Sequence, residues 1–211
     1  MVKICGLKNR TEAEWVVKSG ADFAGIVLFF PKSKRNISIE SAEQIINVLK
    51  AGAVRTVAVT VTPSVEQIAE IRAAGFDYLQ YHGALSEQVL DAISIPVIKA
   101  FNVKDVSDIK RFSAHPGVAG YVFDANDPGS GQGFDYAVLE SVREEIEEAE
   151  ANGKFVLLAG GLSPDNVEEA LKATGFKGAD TSSGVENEAG DGKDEEKIYR
   201  FVENACRAGK A

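Results

Sequence analysis

The chain has 211 residues, of which 45% are hydrophobic and 26% charged, and it carries a formal net charge of −9. This charge excludes a general nucleic-acid binder, because such proteins neutralise phosphates with clustered lysine and arginine side chains. No apolar run approaches the roughly 20 residues that span a bilayer, and the N-terminal residues lack the apolar stretch of a secretion signal. We therefore expect one domain over residues 1–211 in the cytoplasm, with no membrane or nucleic-acid partner.

Short apolar runs typical of β-strands alternate eight times with helical patterns, and no change of composition marks a domain boundary. Several runs are almost continuously apolar, as strands covered on both faces should be. The eight predicted strands are Val2 to Cys5, Phe23 to Leu28, Thr56 to Val61, Tyr78 to Tyr81, Pro96 to Phe101, Val118 to Phe123, Phe155 to Ala159 and Ala179 to Ser182. Between them, segments such as Glu40 to Lys50 and Val65 to Ala74 repeat apolar residues at helical spacing.

Many of the predicted helices end at a glycine, and a strand begins within a few residues. A glycine in the left-handed conformation commonly closes a helix. We expect this conformation at Gly20, Gly52, Gly75, Gly153 and Gly175. Ser64 and Ser163 are predicted helix N-caps, the second with Pro164 in the first turn. These junctions recur about every 20 to 30 residues, a period that indicates repeated βα units.

Eight β-then-α units in one uninterrupted chain predict a single (β/α)8 TIM barrel, near the lower end of that fold's size range. The rival is a doubly wound open sheet. Its fingerprint, a Gly-x-Gly-x-x-Gly loop after the first strand, is absent, since Gly6 is followed by Leu7 and Lys8. The glycine-rich run from Gly129 to Gly133 comes only after the sixth strand. We therefore expect the active site where the carboxyl ends of the strands meet.

Small residues follow the last two predicted strands and form a candidate phosphate site. Backbone N–H groups there can approach a ligand closely, and the following helix N-terminus adds positive potential. The candidate phosphate-binding residues are Gly160, Gly161, Ser182, Ser183 and Gly184. Either group alone would also fit an ordinary tight turn. Their position after strands seven and eight favours phosphate binding.

Cys5 ends the first predicted strand and Asp124 follows the sixth, which places two ionisable groups at the rim of the barrel. A carboxyl that gives a proton and a thiolate that takes one would serve an isomerisation by general acid and base catalysis. Each residue also has a plainer interpretation, because strand cysteines are usually buried hydrophobes and an Asp after a strand is often a turn former. The run from Asp127 to Gly133 suits a mobile loop over the site or a plain exposed connection.

Three further residues are candidates for substrate binding. The guanidinium group of Arg35 could clamp a carboxylate, although with its neighbouring lysines it could also be solvated surface. His82 has no second metal ligand at suitable spacing, so we expect a hydrogen-bonding residue at the rim and no metal. Lys3 shares the strand face of Cys5 and could stabilise its thiolate, since a free thiol is mostly protonated at neutral pH.

Seven short motifs run through the chain in order. They are Lys3-Ile4-Cys5-Gly6, Phe29-Phe30-Pro31-Lys32-Ser33-x-Arg35, Leu79-Gln80-x-His82-Gly83, Asp124 with its glycine-rich loop into Phe134-Asp135, Leu158-Ala159-Gly160-Gly161-Leu162, Asp180-x-Ser182-Ser183-Gly184-Val185-Glu186 and Gly192-Lys193-Asp194. Together they resemble the phosphoribosylanthranilate isomerase family of tryptophan biosynthesis. Each motif alone is weak, but seven in order over essentially the whole chain are specific.

The resemblance implies a barrel without metal or cofactor that converts N-(5′-phosphoribosyl)anthranilate to 1-(2-carboxyphenylamino)-1-deoxyribulose 5-phosphate by an Amadori rearrangement. Asp124 would be the general acid that protonates the ring oxygen, so that the furanose opens to a Schiff base. Cys5 would be the general base that removes the proton from C2′. Arg35 would hold the anthranilate carboxylate, and the loops at Gly161 and at Ser182 to Gly184 would hold the phosphate of this small-molecule substrate.

The chain departs from the family pattern at Lys34, where proline is usual, at Tyr136, where tryptophan is usual, and at Thr181, which replaces a more apolar residue. The first departure bears on the loop that carries Arg35, and so on substrate affinity. Two other functions stay open, namely another phosphosugar isomerase or epimerase and a barrel that binds a phosphorylated ligand without turnover. The related histidine-pathway isomerase uses an Asp where this chain has Cys5. Monomer and homodimer are both compatible with the sequence.

Overall fold

The computed structural model describes residues 1–102, 109–124 and 143–208. The strands within these residues are β1 (Val2–Cys5), β2 (Phe23–Leu28), β3 (Asn36–Ile37), β4 (Arg55–Val61), β5 (Tyr78–His82), β6 (Val97–Asn102), β7 (Val118–Asp124), β8 (Phe155–Ala159) and β9 (Ala179–Thr181). Eight parallel strands close into a barrel, because β9 pairs with β1 and β1 pairs with β2. The two-residue β3 pairs with the end of β2.

Helices follow the strands in the order that the sequence predicts. The described helices are α1 (Arg10–Ser19), α2 (Ile39–Ala51), α3 (Val65–Ala73), α4 (Glu87–Ala92), α5 (Ile109–Ser113), α6 (Arg143–Ala151), α7 (Val167–Thr174) and α8 (Glu195–Ala208). The predicted (β/α)8 barrel is confirmed, with every predicted strand boundary within one residue of the observed one. No helix among the described residues is long and apolar enough to cross a membrane.

Apolar side chains fill the barrel from its amino-terminal end. The rings of Phe23, Tyr78 and Phe155, each the first residue of its strand, pack together with centroids 5.1 to 5.9 Å apart. Above them lie smaller side chains that include Val57 and Leu157. A second and larger apolar core fills the space between the strands and the helices. These three rings therefore fill the amino-terminal end of the barrel.

Two predicted helix ends are wrong. Gly52 has φ −92°, and the left-handed residue is Ala53, with φ 57°. Gly52 is instead a point of close approach, because a Cβ there would overlap the side chain of Val17. Ser163 does not cap α7, which begins at Val167 after an intervening turn. The other four glycines have the predicted left-handed conformation, namely Gly20, Gly75, Gly153 and Gly175. Ser64 caps α3 in a capping box, as predicted.

Candidate active site

A cavity of ≈ 420 Å³ opens at the carboxyl ends of the barrel strands, where this fold places its ligands. It brings together most of the residues that the sequence singles out. These are Cys5, Arg35, His82, Asp124, Gly160, Gly161, Ser182 and Ser183. Lys3 and Gly184 are not part of the lining, although Asp180, the ion-pair partner of Lys3, and Ser183, the neighbour of Gly184, belong to it. The predicted loop from Asp127 to Gly133, and Tyr136, lie outside the described residues.

Cys5 is the last residue of β1, and its side chain reaches the cavity although the residue is only 8% exposed. Its carbonyl oxygen accepts a hydrogen bond of 2.9 Å from Ser182 Oγ. Gly25 lies beside Cys5 in β2. A Cβ at Gly25 would stand 2.8 Å from Cys5 Sγ and 3.1 Å from Lys3 Nζ. The Cys5 thiol and the Lys3 ammonium group therefore both pack against Gly25, where a side chain would collide with them.

Lys3 forms a buried ion pair with Asp180 on the neighbouring strand β9. Its Nζ lies 3.0 Å from both carboxylate oxygens, and its side chain is fully buried. Burial opposes the charged form, but the attraction of Asp180 and of Cys5 outweighs it and raises the pKa of Lys3. Lys3 is thus a fixed positive charge beneath the thiol, on the strand face that the two-residue alternation predicts.

Asp124 ends β7 and reaches the cavity from the far side of the barrel. The residue is partly exposed, and its backbone lies in register between Asn102 of β6 and Ala159 of β8. Asp180 is close enough for the two carboxylates to repel each other electrostatically. The Asp124 carboxyl group is accessible from the cavity.

The candidate phosphate site is built from two backbone segments that touch each other. Gly160 and Gly161 have φ values of 99° and 65°, which side-chain-bearing residues rarely adopt. A Cβ at Gly184 would overlap the carbonyl oxygen of Leu162, so the two loops approach as closely as backbone allows. Thr181 also joins them, since its Oγ1 donates to Leu162 O at 2.7 Å.

Lys193 supports this site from below and was not predicted as a site residue. Its Nζ donates to the carbonyl oxygen of Ser182 at 2.9 Å and lies 3.3 Å from Ser182 Oγ. Burial lowers the pKa of Lys193 to about 8, against the attraction of Cys5 and Glu186. At neutral pH it is therefore a second buried positive charge near the thiol. A buried lysine in a loop leaves no periodic signal, and only the motif Gly192-Lys193-Asp194 pointed to it.

His82 is a neutral hydrogen-bonding residue at the rim. Its Nε2 lies 2.8 Å from Gln80 Nε2, so with the amide as donor the imidazole nitrogen is the acceptor. Burial and the positive charges of Lys3 and Lys99 lower the pKa of His82 to about 4. Among the described residues, no three His, Cys, Asp or Glu side chains gather as metal ligands would.

The low pKa of His82 predicts a loss of stability in mild acid. The unfolded chain takes up this proton near pH 6.5 and the folded chain only near pH 4, so protonation favours unfolding over that window. Between pH 7 and pH 4.5 we expect the unfolding free energy of the natural chain to fall by about 2 kcal/mol more than that of His82→Gln. Urea unfolding at both pH values measures the difference, and equal losses would contradict the assignment.

The chain is a closed barrel with a thiol and a carboxyl group on one cavity at the carboxyl ends of its strands, which places it among the (β/α)8-barrel enzymes. Residues 2–204 match the family described as N-(5′-phosphoribosyl)anthranilate (PRA) isomerase. The chain therefore belongs to the N-(5′-phosphoribosyl)anthranilate isomerase family. The reaction of this family is the isomerisation of N-(5′-phosphoribosyl)anthranilate in tryptophan biosynthesis, and the chain is an enzyme of that step.

Similar proteins agree over nearly the full length of the chain. The N-(5′-phosphoribosyl)anthranilate isomerase of Streptococcus gordonii is 36% identical over 204 residues, covering 96% of this chain and 95% of that protein. The crystal structure of phosphoribosyl anthranilate isomerase from Thermotoga maritima superposes with a TM-score of 0.82 at 34% identity and covers 98% of both chains. The Thermotoga enzyme is described as dimeric. A further relative, 32% identical with a TM-score of 0.79 and 98% of both chains covered, was solved with reduced 1-(o-carboxyphenylamino)-1-deoxyribulose 5-phosphate.

Proposed function

We propose that this chain isomerises N-(5′-phosphoribosyl)anthranilate with Asp124 as general acid and Cys5 as general base. The observation that carries the proposal is that both residues line one cavity, beside the loops of Gly161 and Ser182. A substrate whose phosphate lies at these loops would place its ribose between the two groups. Positioning of this kind removes much of the entropic barrier to proton transfer.

The first step is ring opening. The Asp124 carboxyl gives its proton to the furanose oxygen, the bond from that oxygen to C1′ breaks, and the anthranilate nitrogen supplies the electron pair for a C1′=N bond. Asp124 lines the cavity, so its carboxyl group can reach a substrate bound there. The product of this step is an open-chain Schiff base.

The second step is removal of the proton from C2′ by the Cys5 thiolate. The electron pair of the C–H bond moves into a C1′=C2′ double bond and neutralises the iminium nitrogen. The resulting enolamine carries a hydroxyl group on C2′; it takes a proton at C1′ while this hydroxyl loses its proton, and the C2′ ketone forms. Both steps rearrange electrons within the substrate, so their balance requires no external oxidant or reductant. Two buried cations, Lys3 and Lys193, lie near the Cys5 side chain.

The two ends of the substrate carry negative charge and need separate partners. The backbone around Gly161 and Ser183 offers N–H groups to the phosphate, since glycine and serine let a ligand approach closely. Arg35 lines the cavity and offers its guanidinium group to the anthranilate carboxylate. The negative overall charge of the chain is thereby offset locally.

A continuous fluorescence assay of the anthranilate group tests the proposal. The purified chain should consume N-(5′-phosphoribosyl)anthranilate at the same rate with and without a metal chelator. A chain that leaves this substrate unchanged would refute the proposed function. Loss of activity on adding the chelator would refute the acid–base mechanism and indicate a metal-dependent one.

A further inference from the structure

Glu186 connects the two ends of the cavity, and the mechanism above gives it no role. Its carboxylate is 9% exposed and faces three cations. Oε1 accepts from Arg35 Nε at 2.6 Å, and Oε2 accepts from Lys34 Nζ at 2.8 Å. Lys193 Nζ lies 3.7 Å from Oε1. A single buried carboxylate with this many donors holds each of them in a defined place.

The backbone of Glu186 belongs to the turn that forms part of the candidate phosphate site. Its N–H donates to the carbonyl oxygen of Ser183 at 3.1 Å, which closes the 3-10 turn Ser183–Val185. Its own carbonyl oxygen accepts from Lys197 Nζ at 2.8 Å. The backbone that carries this carboxylate is therefore fixed to the turn of the candidate phosphate site.

Arg35 meets this carboxylate through one side of its guanidinium group. The bond to Glu186 uses Nε, whereas Nη1 and Nη2 make no hydrogen bond to the part of the chain that the structure describes. Arg35 lies on the cavity wall with its side chain 24% exposed. Gly6 leaves room for this placement, since a Cβ there would stand 2.5 Å from Arg35 Cδ. The two terminal nitrogens are thus available to a carboxylate ligand.

The charge of Glu186 persists over the neutral pH range. Burial acts to raise its pKa, but the hydrogen bonds from Lys34 and Arg35 outweigh burial and the pKa lies below its ordinary value. Lys34 makes a further contact, donating to the carbonyl oxygen of Gly190 at 2.8 Å. Lys34 thereby adds a second link between the Arg35 loop and the segment that follows the candidate phosphate site.

We propose that Glu186 is a positioning residue that aims the terminal nitrogens of Arg35 at the substrate carboxylate and sets the span from Arg35 to the phosphate loop. This inference rests on the proposed role of Arg35. A substrate with a carboxylate at one end and a phosphate at the other fits only where this span is held. Glu186 then acts on substrate binding and leaves the proton-transfer groups unchanged.

Glu186→Gln tests the inference through a split between KM and kcat. KM for N-(5′-phosphoribosyl)anthranilate should rise about 10- to 30-fold while kcat changes by less than about threefold, as expected for lost uniform binding. The inhibition constant of inorganic phosphate should stay within about twofold, because the phosphate loop keeps its own hydrogen bonds. The Arg35 Nε–H resonance, identified by its absence in Arg35→Lys, should shift once its charged acceptor is lost.

Two further variants keep the test decisive. Glu186→Asp retains the buried charge, and so the fold, but shortens the reach to Arg35 Nε, and it should raise KM about fivefold. Lys34→Met removes the Lys34 link to Glu186 but leaves the Arg35 contact intact, so it should raise KM less than Glu186→Gln does. An unchanged KM in both Glu186 variants, a phosphate constant that rises in parallel with KM, or an equal effect of Lys34→Met would each overturn the inference.

Arg35→Ala separates this inference from the proposed function. If Arg35 holds the carboxylate, Arg35→Ala should raise KM far more than it changes phosphate inhibition. A large effect of Arg35→Ala without any effect of Glu186→Gln would overturn the positioning role alone. An unchanged KM in Arg35→Ala would refute the role of Arg35, and with it the inference about Glu186.

Discussion

Cys5→Ala and Asp124→Asn should each lower kcat for N-(5′-phosphoribosyl)anthranilate by about 10²- to 10⁴-fold, the range that a positioned acid or base contributes. Each variant lacks one of the two groups to which the mechanism assigns proton transfer. The dissociation constant of reduced 1-(o-carboxyphenylamino)-1-deoxyribulose 5-phosphate should change by less than about fivefold, because its ends are held elsewhere. Steady-state kinetics and titration calorimetry measure the two quantities.

Cys206 supplies the matched control for Cys5. It is the other cysteine of the chain, and it is exposed on α8. Cys206→Ala should therefore keep the turnover of the natural chain. A kcat within tenfold of the natural value in Cys5→Ala or Asp124→Asn would remove that residue from the mechanism. A parallel loss of analogue binding would show that the substitution had damaged the site as a whole.

Lys3→Met should lower the free energy of unfolding by about 3 to 5 kcal/mol, because it leaves a buried carboxylate without its counter-charge. Asp180 is buried, and both of its oxygens lie 3.0 Å from Lys3 Nζ. Methionine fills much of the same space, so the loss would reflect the unpaired charge and not a cavity. Chemical denaturation of the natural chain and the variant measures the difference.

A double-mutant cycle shows whether the Lys3–Asp180 ion pair accounts for this loss of stability. Asp180→Asn in the Lys3→Met background removes the unpaired charge, and most of the lost stability should return. If the two substitutions are instead simply additive, or if Lys3→Met costs less than about 1 kcal/mol, the ion pair does not stabilise the barrel in this way.

The strand pattern of this chain is predictable because the barrel strands are covered on both faces. Runs such as Phe23 to Leu28 and Phe155 to Ala159 are apolar throughout, and their observed bounds are those expected from the sequence. Gly52 shows where local rules fail. Its position after a helix predicts a left-handed cap, but its tertiary role is to admit Val17 of another helix, which no local pattern encodes.

The residues of the cavity also divide into those that local sequence position predicts and those that only tertiary packing explains. Cys5 and Asp124 could be predicted as rim residues because each stands at the end of a strand, and the fold fixes where strand ends meet. The partnership of Lys3 with Asp180 depends on the closure of β9 against β1, which places the two in register. Glu186 and Lys193 lie in loops, and their contacts with Arg35 and Ser182 follow from tertiary packing that neither periodicity nor spacing reveals.

The central claim is that the Cys5 thiolate takes the proton from C2′ of the substrate. Its most direct test is the single-turnover rate at which deuterium at C2′ is released to water, since this isolates proton transfer from product release. The natural chain should release the label as product forms, and Cys5→Ala should release it at least about 10²-fold more slowly. Release from Cys5→Ala at the natural rate would contradict the mechanism.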